Sequence, residues 1–228
     1  MELERYTAAG EFIDSGDAGV CEFARKASAG AGDRVSCAVK LYYAVRDEVL
    51  YDPYYGGEEQ KYFRASNCLR TRRGFCIPKA ALLAAAARSV GIPARVGYAD
   101  VRNHLSTKKL LELMGSDLFI WHSFTELYLE GRWVKATPAF NLSLCQRFGV
   151  HPLEFDGRDD SLFHEFDREG RRHMEYVRDR GNYPDVPYEA IVADFKKTYP
   201  RWMMLVNDGK RGNFAAEAQS ENQRSNPR

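Results

Sequence analysis

Net charge, disulfide spacing and long apolar runs are all nearly absent from this chain. Its 228 residues carry 33 Lys and Arg against 32 Asp and Glu, a formal charge of +1. No global field therefore argues for nucleic acid or for an anionic membrane as a partner. The five cysteines, Cys21, Cys37, Cys68, Cys76 and Cys145, are odd in number and irregularly spaced, with no Cys-x-x-Cys. That pattern argues against a disulfide framework and against a zinc ribbon. No apolar run approaches the roughly 18 residues a membrane-spanning helix needs. The amino terminus, Met1-Glu2-Leu3-Glu4-Arg5, is charged and lacks an apolar signal region, so a cytoplasmic location is expected. His-Glu-x-x-His, metal-ligand spacing and a Walker loop are all missing, and Gly30-Ala31-Gly32 joins helices rather than following a strand. Neither a metal nor a cofactor is expected. The basic run Arg168 to His173 is flanked by acids and reads as a solvated face.

What is present is a sound core composition, 44% hydrophobic and 13% aromatic, on a length that fits one domain. Within it, Arg73-Gly74-Phe75-Cys76-Ile77-Pro78-Lys79 runs straight into an alanine-rich helix that Gly91 stops. Proline is tolerated in the first helical turn, where its missing N–H costs nothing, so Cys76 falls at the helix N-terminus. Unpaired N–H groups and the helix dipole there favour a thiolate, and Arg70, Arg72 and Arg73 add charge of the same sense. The other cysteines read as small buried apolar residues, Cys68 and Cys145 less securely.

Periodicity places helices at 17–29 and 34–49, capped by Asp17 and Asp33, and a short helix near Ser66. An irregular aromatic loop, Tyr51 to Gly57, lies between the last two. After Gly91 the period changes to that of strands, at 94–101, 120–129 and 132–136, with Glu130-Gly131 as the turn between the last two. Residues 107–114 and 188–199 read as helical. Helices first and antiparallel strands second indicate an α+β fold. The expected organisation is a single domain over 1–214 with an extension at 142–214. A polar, disordered tail is expected at 215–228.

A thiol nucleophile needs a base, usually histidine. Of His104, His122, His151, His164 and His173, His122 stands out. It sits on the strand Trp121-His122-Ser123-Phe124-Thr125-Glu126-Leu127, which can hold an imidazole rigidly against a helix end. Asn103-His104 reads as a solvated loop. Taken alone, His122 would be a structural histidine; the context of Cys76 changes that weighting.

The order Gly74-x-Cys76, then Gly91-Ile92-Pro93-Ala94-Arg95, then His122 through Glu126 to Trp133, then Pro138, resembles the transglutaminase-like superfamily. Within it, the resemblance is to the bacterial branch of cysteine-protease-like members. It spans residues 35–141. It implies a papain-like transglutaminase core, α+β, with N-terminal helices packed on an antiparallel sheet. It also implies Cys76 as nucleophile and His122 as general base and acid. The family's aspartate before the turn proline is replaced here by Thr137, whose hydroxyl would stabilise an imidazolium far less than a carboxylate. Asn141, Asp100 and Asp117 are the alternative orienting groups. The backbone N–H of Cys76 would supply part of an oxyanion hole, with Tyr51, Tyr54 or Asn67 as the second donor.

The expectation is a cysteine-dependent acyl-transfer enzyme acting on a peptide or small amide, with hydrolysis favoured over transamidation. No cofactor, nucleic acid or membrane is expected to take part. The alternative is a catalytically silent member of the same fold used for binding, which the Thr137 substitution supports. Nothing in the sequence indicates an oligomeric state.

Overall fold

A computed structural model describes residues 3–103, 106–162, 174–209 and 212–225. Helix α1 (Ala18–Ala27) begins where Asp17 accepts the N–H of Val20, and α2 (Arg34–Glu48) where Asp33 and Ser36 form a reciprocal capping box. Strand β1 (Leu50–Tyr51), helix α3 (Ala65–Thr71) and strand β2 (Arg73–Gly74) follow, and β1 pairs with β2 in parallel. Ser66 lies inside α3 and bonds Asp14 instead of capping the helix.

Helix α4 (Cys76–Ser89) comes next, and every side chain from Ile77 to Arg88 is buried. Alanine makes this possible, because small side chains let α1, α2, α3 and the sheet approach from all sides. A helix so enclosed is apolar all round, with no polar stripe. Thr125 Oγ1 donates to the Ala80 carbonyl at 2.9 Å, a direct measure of how near the sheet comes. The two buried cations of α4 are held by carbonyls. Lys79 Nζ donates to Arg46 O at 2.9 Å and to Val49 O, satisfying the C-terminal end of α2. Arg88 donates to Ala8 O at 2.8 Å and to Ala94 O at 2.8 Å.

The second half supplies β3 (Ala94–Asn103), α5 (Lys108–Met114), β4 (Leu118–Leu129) and β5 (Arg132–Ala136). After them come α6 (Leu142–Phe148), β6 (Met174–Tyr183), α7 (Tyr188–Thr198), α8 (Pro200–Asn207) and α9 (Phe214–Ser225). The four long strands form one antiparallel sheet in the order β5-β4-β3-β6. Glu130 and Gly131 join β4 to β5 with φ of 48° and 85°, the left-handed pair that matches the twist of a tight hairpin. The architecture is α+β, helices packed against an antiparallel sheet, as the sequence indicates. Among the described residues, no helix is long and apolar enough to cross a membrane.

Two expectations are corrected here, and one strand lies where no element was expected. Residues 215–225 are part of helix α9 and not a disordered tail. Phe214 and Ala218, four residues apart, are buried on one side, and Glu217 accepts Tyr54 Oη at 2.8 Å and Lys109 Nζ at 3.0 Å. Polar composition hid this narrow stripe. Strand β6 is an edge strand with solvent on much of its length, so it carries charges where an inner strand carries apolar residues. Cys21, expected to be buried, is exposed, whereas Cys68 and Cys145 are buried. His104, His164, His173 and the Arg168 to His173 run lie outside the described residues.

Candidate active site

Cys76 opens α4 because the chain before it can pass very close. A Cβ on Gly74 would stand 2.9 Å from Cys68 Sγ and 3.0 Å from Pro78 Cγ, so only glycine lets β2 turn into the helix here. Phe75 takes the cap position in extended backbone, and its side chain makes no cap. The backbone N–H groups of Cys76 and Ile77, at the start of α4, act on the Cys76 sulfur.

From β4, His122 enters the cavity that Cys76 lines. Its placement depends on a break in the strand. The β3–β4 register shifts between Ala99 and Val101, and Trp121, the residue before His122, has φ of 58°. A bulky residue in that region costs about 1–3 kcal/mol and persists only if its surroundings enforce it. Here they do. Trp121 N–H donates to buried Asp100 Oδ1 at 3.1 Å, and its indole Nε1 donates to Asp194 Oδ2 at 2.8 Å. Arg180, from β6, bonds Asp100 through Nε and Asp194 through Nη1 at 2.7 Å. Its guanidinium lies 4.5 Å from the centre of the indole ring. A bulge of this kind re-aims the following side chain. It therefore matters more for His122 than the plain alternation with Phe124 and Glu126.

The cavity shared by Cys76 and His122 has a volume of about 50 Å³. Tyr51 and Pro53 line it from β1 and the loop after it, Phe75 from the turn, Met114 from α5, and Phe119 and Ile120 from β4. Phe195, Tyr199 and Trp202, from α7, α8 and the joint between them, complete it. No Asp, Glu, Lys or Arg among the described residues takes part.

The C-terminal helices are fastened on both sides of this space. Tyr199 Oη donates to Leu118 O at 2.6 Å and accepts from Ile120 N–H at 2.7 Å. Trp202 Nε1 donates to Pro53 O at 3.0 Å. Phe195 and Phe75 meet Trp202 edge to face, at ring separations of 5.6 and 6.3 Å.

Desolvation sets the ionisation of the thiol, although Cys76 is only partly buried. Cys76 is pushed up to about 11 by desolvation, against the pull of backbone N–H groups from Ser123, Ile77 and Cys76 itself. The expectation of a thiolate favoured by its position is thereby corrected: loss of water outweighs the helix end. The three arginines upstream are occupied elsewhere. Arg70 bonds Asn67, Arg72 bonds Glu48 and Arg73 pairs with Asp52. The Ser123 N–H contribution is also positional, since it brings the sulfur to the residue directly after His122 on β4.

The candidates for the remaining roles separate cleanly. Thr137 is buried, but its Oγ1 makes no hydrogen bond, so it does not hold the imidazole in this way. Asn141 Oδ1 accepts Tyr51 N–H at 3.0 Å and its Nδ2 donates to Ser143 at 2.7 Å. Asp117 is half-exposed and pairs with Arg102 at 3.4 Å. Asp100 is the buried carboxylate nearest the strand break, and it acts on Trp121 and Arg180. Of the three proposed oxyanion donors only Tyr51 lines the cavity, while Tyr54 is committed to Glu217 and Asn67 to Arg70. Burial beside the thiol raises the Tyr51 phenol well above its ordinary value, so it stays protonated and able to donate. Among the described residues, no cluster of His, Cys, Asp or Glu is placed to hold a metal.

Sequence reading did not find the aromatic walls contributed by Phe195, Tyr199 and Trp202, nor the part played by Asp100, Arg180 and Asp194. The helical period at 188–199 marks an element but not the face it presents.

The model of the transglutaminase-like superfamily matches residues 22–138. No curated protein matches the chain in sequence. Among solved structures it is similar to a protein of Cytophaga hutchinsonii described as a "putative cysteine protease". The identity is 18% and the TM-score 0.51, over 83% of this chain and 50% of that one. The likeness is one of fold, and the chain spans half the length of that protein.

Proposed function

Since the chain belongs to the transglutaminase-like superfamily, we propose that it is a cysteine-dependent enzyme of acyl transfer at an amide, with hydrolysis favoured over transamidation. The observation that carries this reading is that Cys76 and His122 line one cavity. A thiol raised to about 11 is protonated near neutral pH. His122 therefore has to take its proton as the sulfur attacks the carbonyl, and return it to the leaving amine. The negative oxygen formed on attack would be met by the Cys76 N–H and the Tyr51 hydroxyl. Water then resolves the thioester. The substrate in this reading is a peptide or small amide.

The same raised thiol, with a Thr137 hydroxyl that bonds nothing, favours a second reading, in which the fold binds without reacting. Iodoacetamide labelling separates the two. Peptide mapping is needed, because exposed Cys21 will also react. The enzyme reading expects Cys76 to label faster near neutral pH than its raised pKa alone allows, and His122→Ala to slow it. Slow labelling of Cys76, unchanged by His122→Ala, supports the binding reading. Thr137→Asp would add a carboxylate where the family carries one, and raises thiol reactivity if position 137 faces His122; unchanged reactivity with a wild-type circular dichroism spectrum places the orienting group elsewhere.

A further inference from the structure

Apart from the Tyr51 hydroxyl, the walls around Cys76 and His122 offer a substrate mostly carbon. Besides Tyr51, whose hydroxyl faces the acyl oxygen in the reading above, two wall residues have polar side-chain atoms, and both spend them on backbone groups. The Tyr199 hydroxyl is used by Leu118 and Ile120, and the Trp202 indole N–H by Pro53. Met114, Phe119, Ile120 and Phe195 have no polar side-chain groups to give, and no charged side chain among the described residues lines the space. A carboxylate or ammonium seated against these walls would give up water and find no Asp, Glu, Lys or Arg to pair with among the described residues, which is unfavourable. Size sets a second limit. An apolar cavity of about 150 Å³ takes up benzene, and this one measures about 50 Å³.

From these two limits we infer that the acyl group delivered to Cys76 is short, aliphatic and uncharged, and that charged and aromatic acyl groups are rejected. The inference rests on the acyl-transfer reading above and names the substrate class of that site. The step is ordinary acyl transfer. Sγ forms a bond to the acyl carbon, the bond to the leaving group breaks with its electron pair, and the thiol proton passes to His122.

The test is single-turnover acylation of Cys76, followed by intact mass, with p-nitrophenyl propionate, butyrate, benzoate and hemisuccinate. Each rate is divided by that of the same ester with N-acetylcysteine, and Cys76→Ser is the blank. Propionyl and butyryl are expected to exceed benzoyl and succinyl by about tenfold or more, the range a shaped apolar pocket delivers. Met114→Ala, which widens the cavity, is expected to raise benzoyl relative to propionyl. Equal normalised rates for all four esters in the wild type would overturn the inference. If no ester acylates Cys76, the acyl-transfer reading fails, and alkylation then reads the cavity by itself. In that experiment N-propyl chloroacetamide and chloroacetate compete for Cys76 of His122→Ala, where a C–S bond forms and chloride leaves. A normalised preference of about tenfold for the neutral reagent sustains the apolar site, and parity removes it.

Discussion

Cys76 and His122 come from the stretch that matches the family, residues 22–138, whereas three of the aromatic walls around them come from residues beyond it. The first region presents two reactive groups on a helix end and a broken strand. The second presents Phe195, Tyr199 and Trp202, with the Tyr199 hydroxyl and the Trp202 indole N–H spent on backbone groups. The lesson is a division of labour. One region carries the cysteine and the histidine of the candidate site, and the other closes part of the wall around them.

The comparison breaks most sharply at the reacting atoms. Cys76→Ser is expected to bring amide or ester turnover to the blank, and His122→Ala to lower kcat/KM by about 10²–10⁴-fold. Both variants should retain the wild-type circular dichroism spectrum. If His122→Ala keeps full turnover, the base lies elsewhere.

The walls should fail the opposite way, through stability. Trp202→Ala is expected to destabilise the fold by about 3–5 kcal/mol in urea, since it empties a packed aromatic site and leaves Pro53 O without its donor. Tyr199→Phe removes only the hydroxyl between Leu118 and Ile120, so about 1–3 kcal/mol is expected.

Acidity sharpens the contrast further. Burial raises Cys76 from 9.0 to about 11, so the folded protein holds this proton more tightly than the unfolded chain. The stabilisation this gives is complete below the unfolded value and is lost as pH climbs from about 9 through about 11. Wild-type protein is thus expected to lose stability relative to Cys76→Ser across that interval in pH-dependent melts. In His122→Ala, alkylation of Cys76 should keep rising toward about pH 11, with no plateau near the ordinary thiol value.

The smallest effect belongs to the last helix. Glu217→Gln keeps acceptors for Tyr54 and Thr107 but loses the charge opposite Lys109, an exposed partner, so a change of about 0.5–1 kcal/mol is expected with turnover unaffected.

Much of this was legible in the chain. Gly74, Cys76, Pro78 and the alanine run specify a tightly enclosed helix that begins at a thiol, because each residue answers a local demand of backbone or volume. Glu130-Gly131 specifies the hairpin for the same reason, and Asp17 and Asp33 the first two helix starts. Ionisation was not legible: a helix N-terminus argues for a thiolate, and only desolvation in the folded chain reverses it. Helix α9 was missed because two buried side chains in a polar segment make too thin a stripe to read.

Sequence by itself determined the candidate pair, Cys76 and His122, and the elements that carry it, since motif and period are short-range properties written in neighbouring residues. Tertiary structure alone decided the site's dryness, its size and the aim of His122. Those depend on Trp202 meeting Pro53, Tyr199 meeting β4, and Asp100 and Arg180 holding Trp121 in a left-handed turn. All are encounters between residues distant in the chain, and no local pattern encodes them.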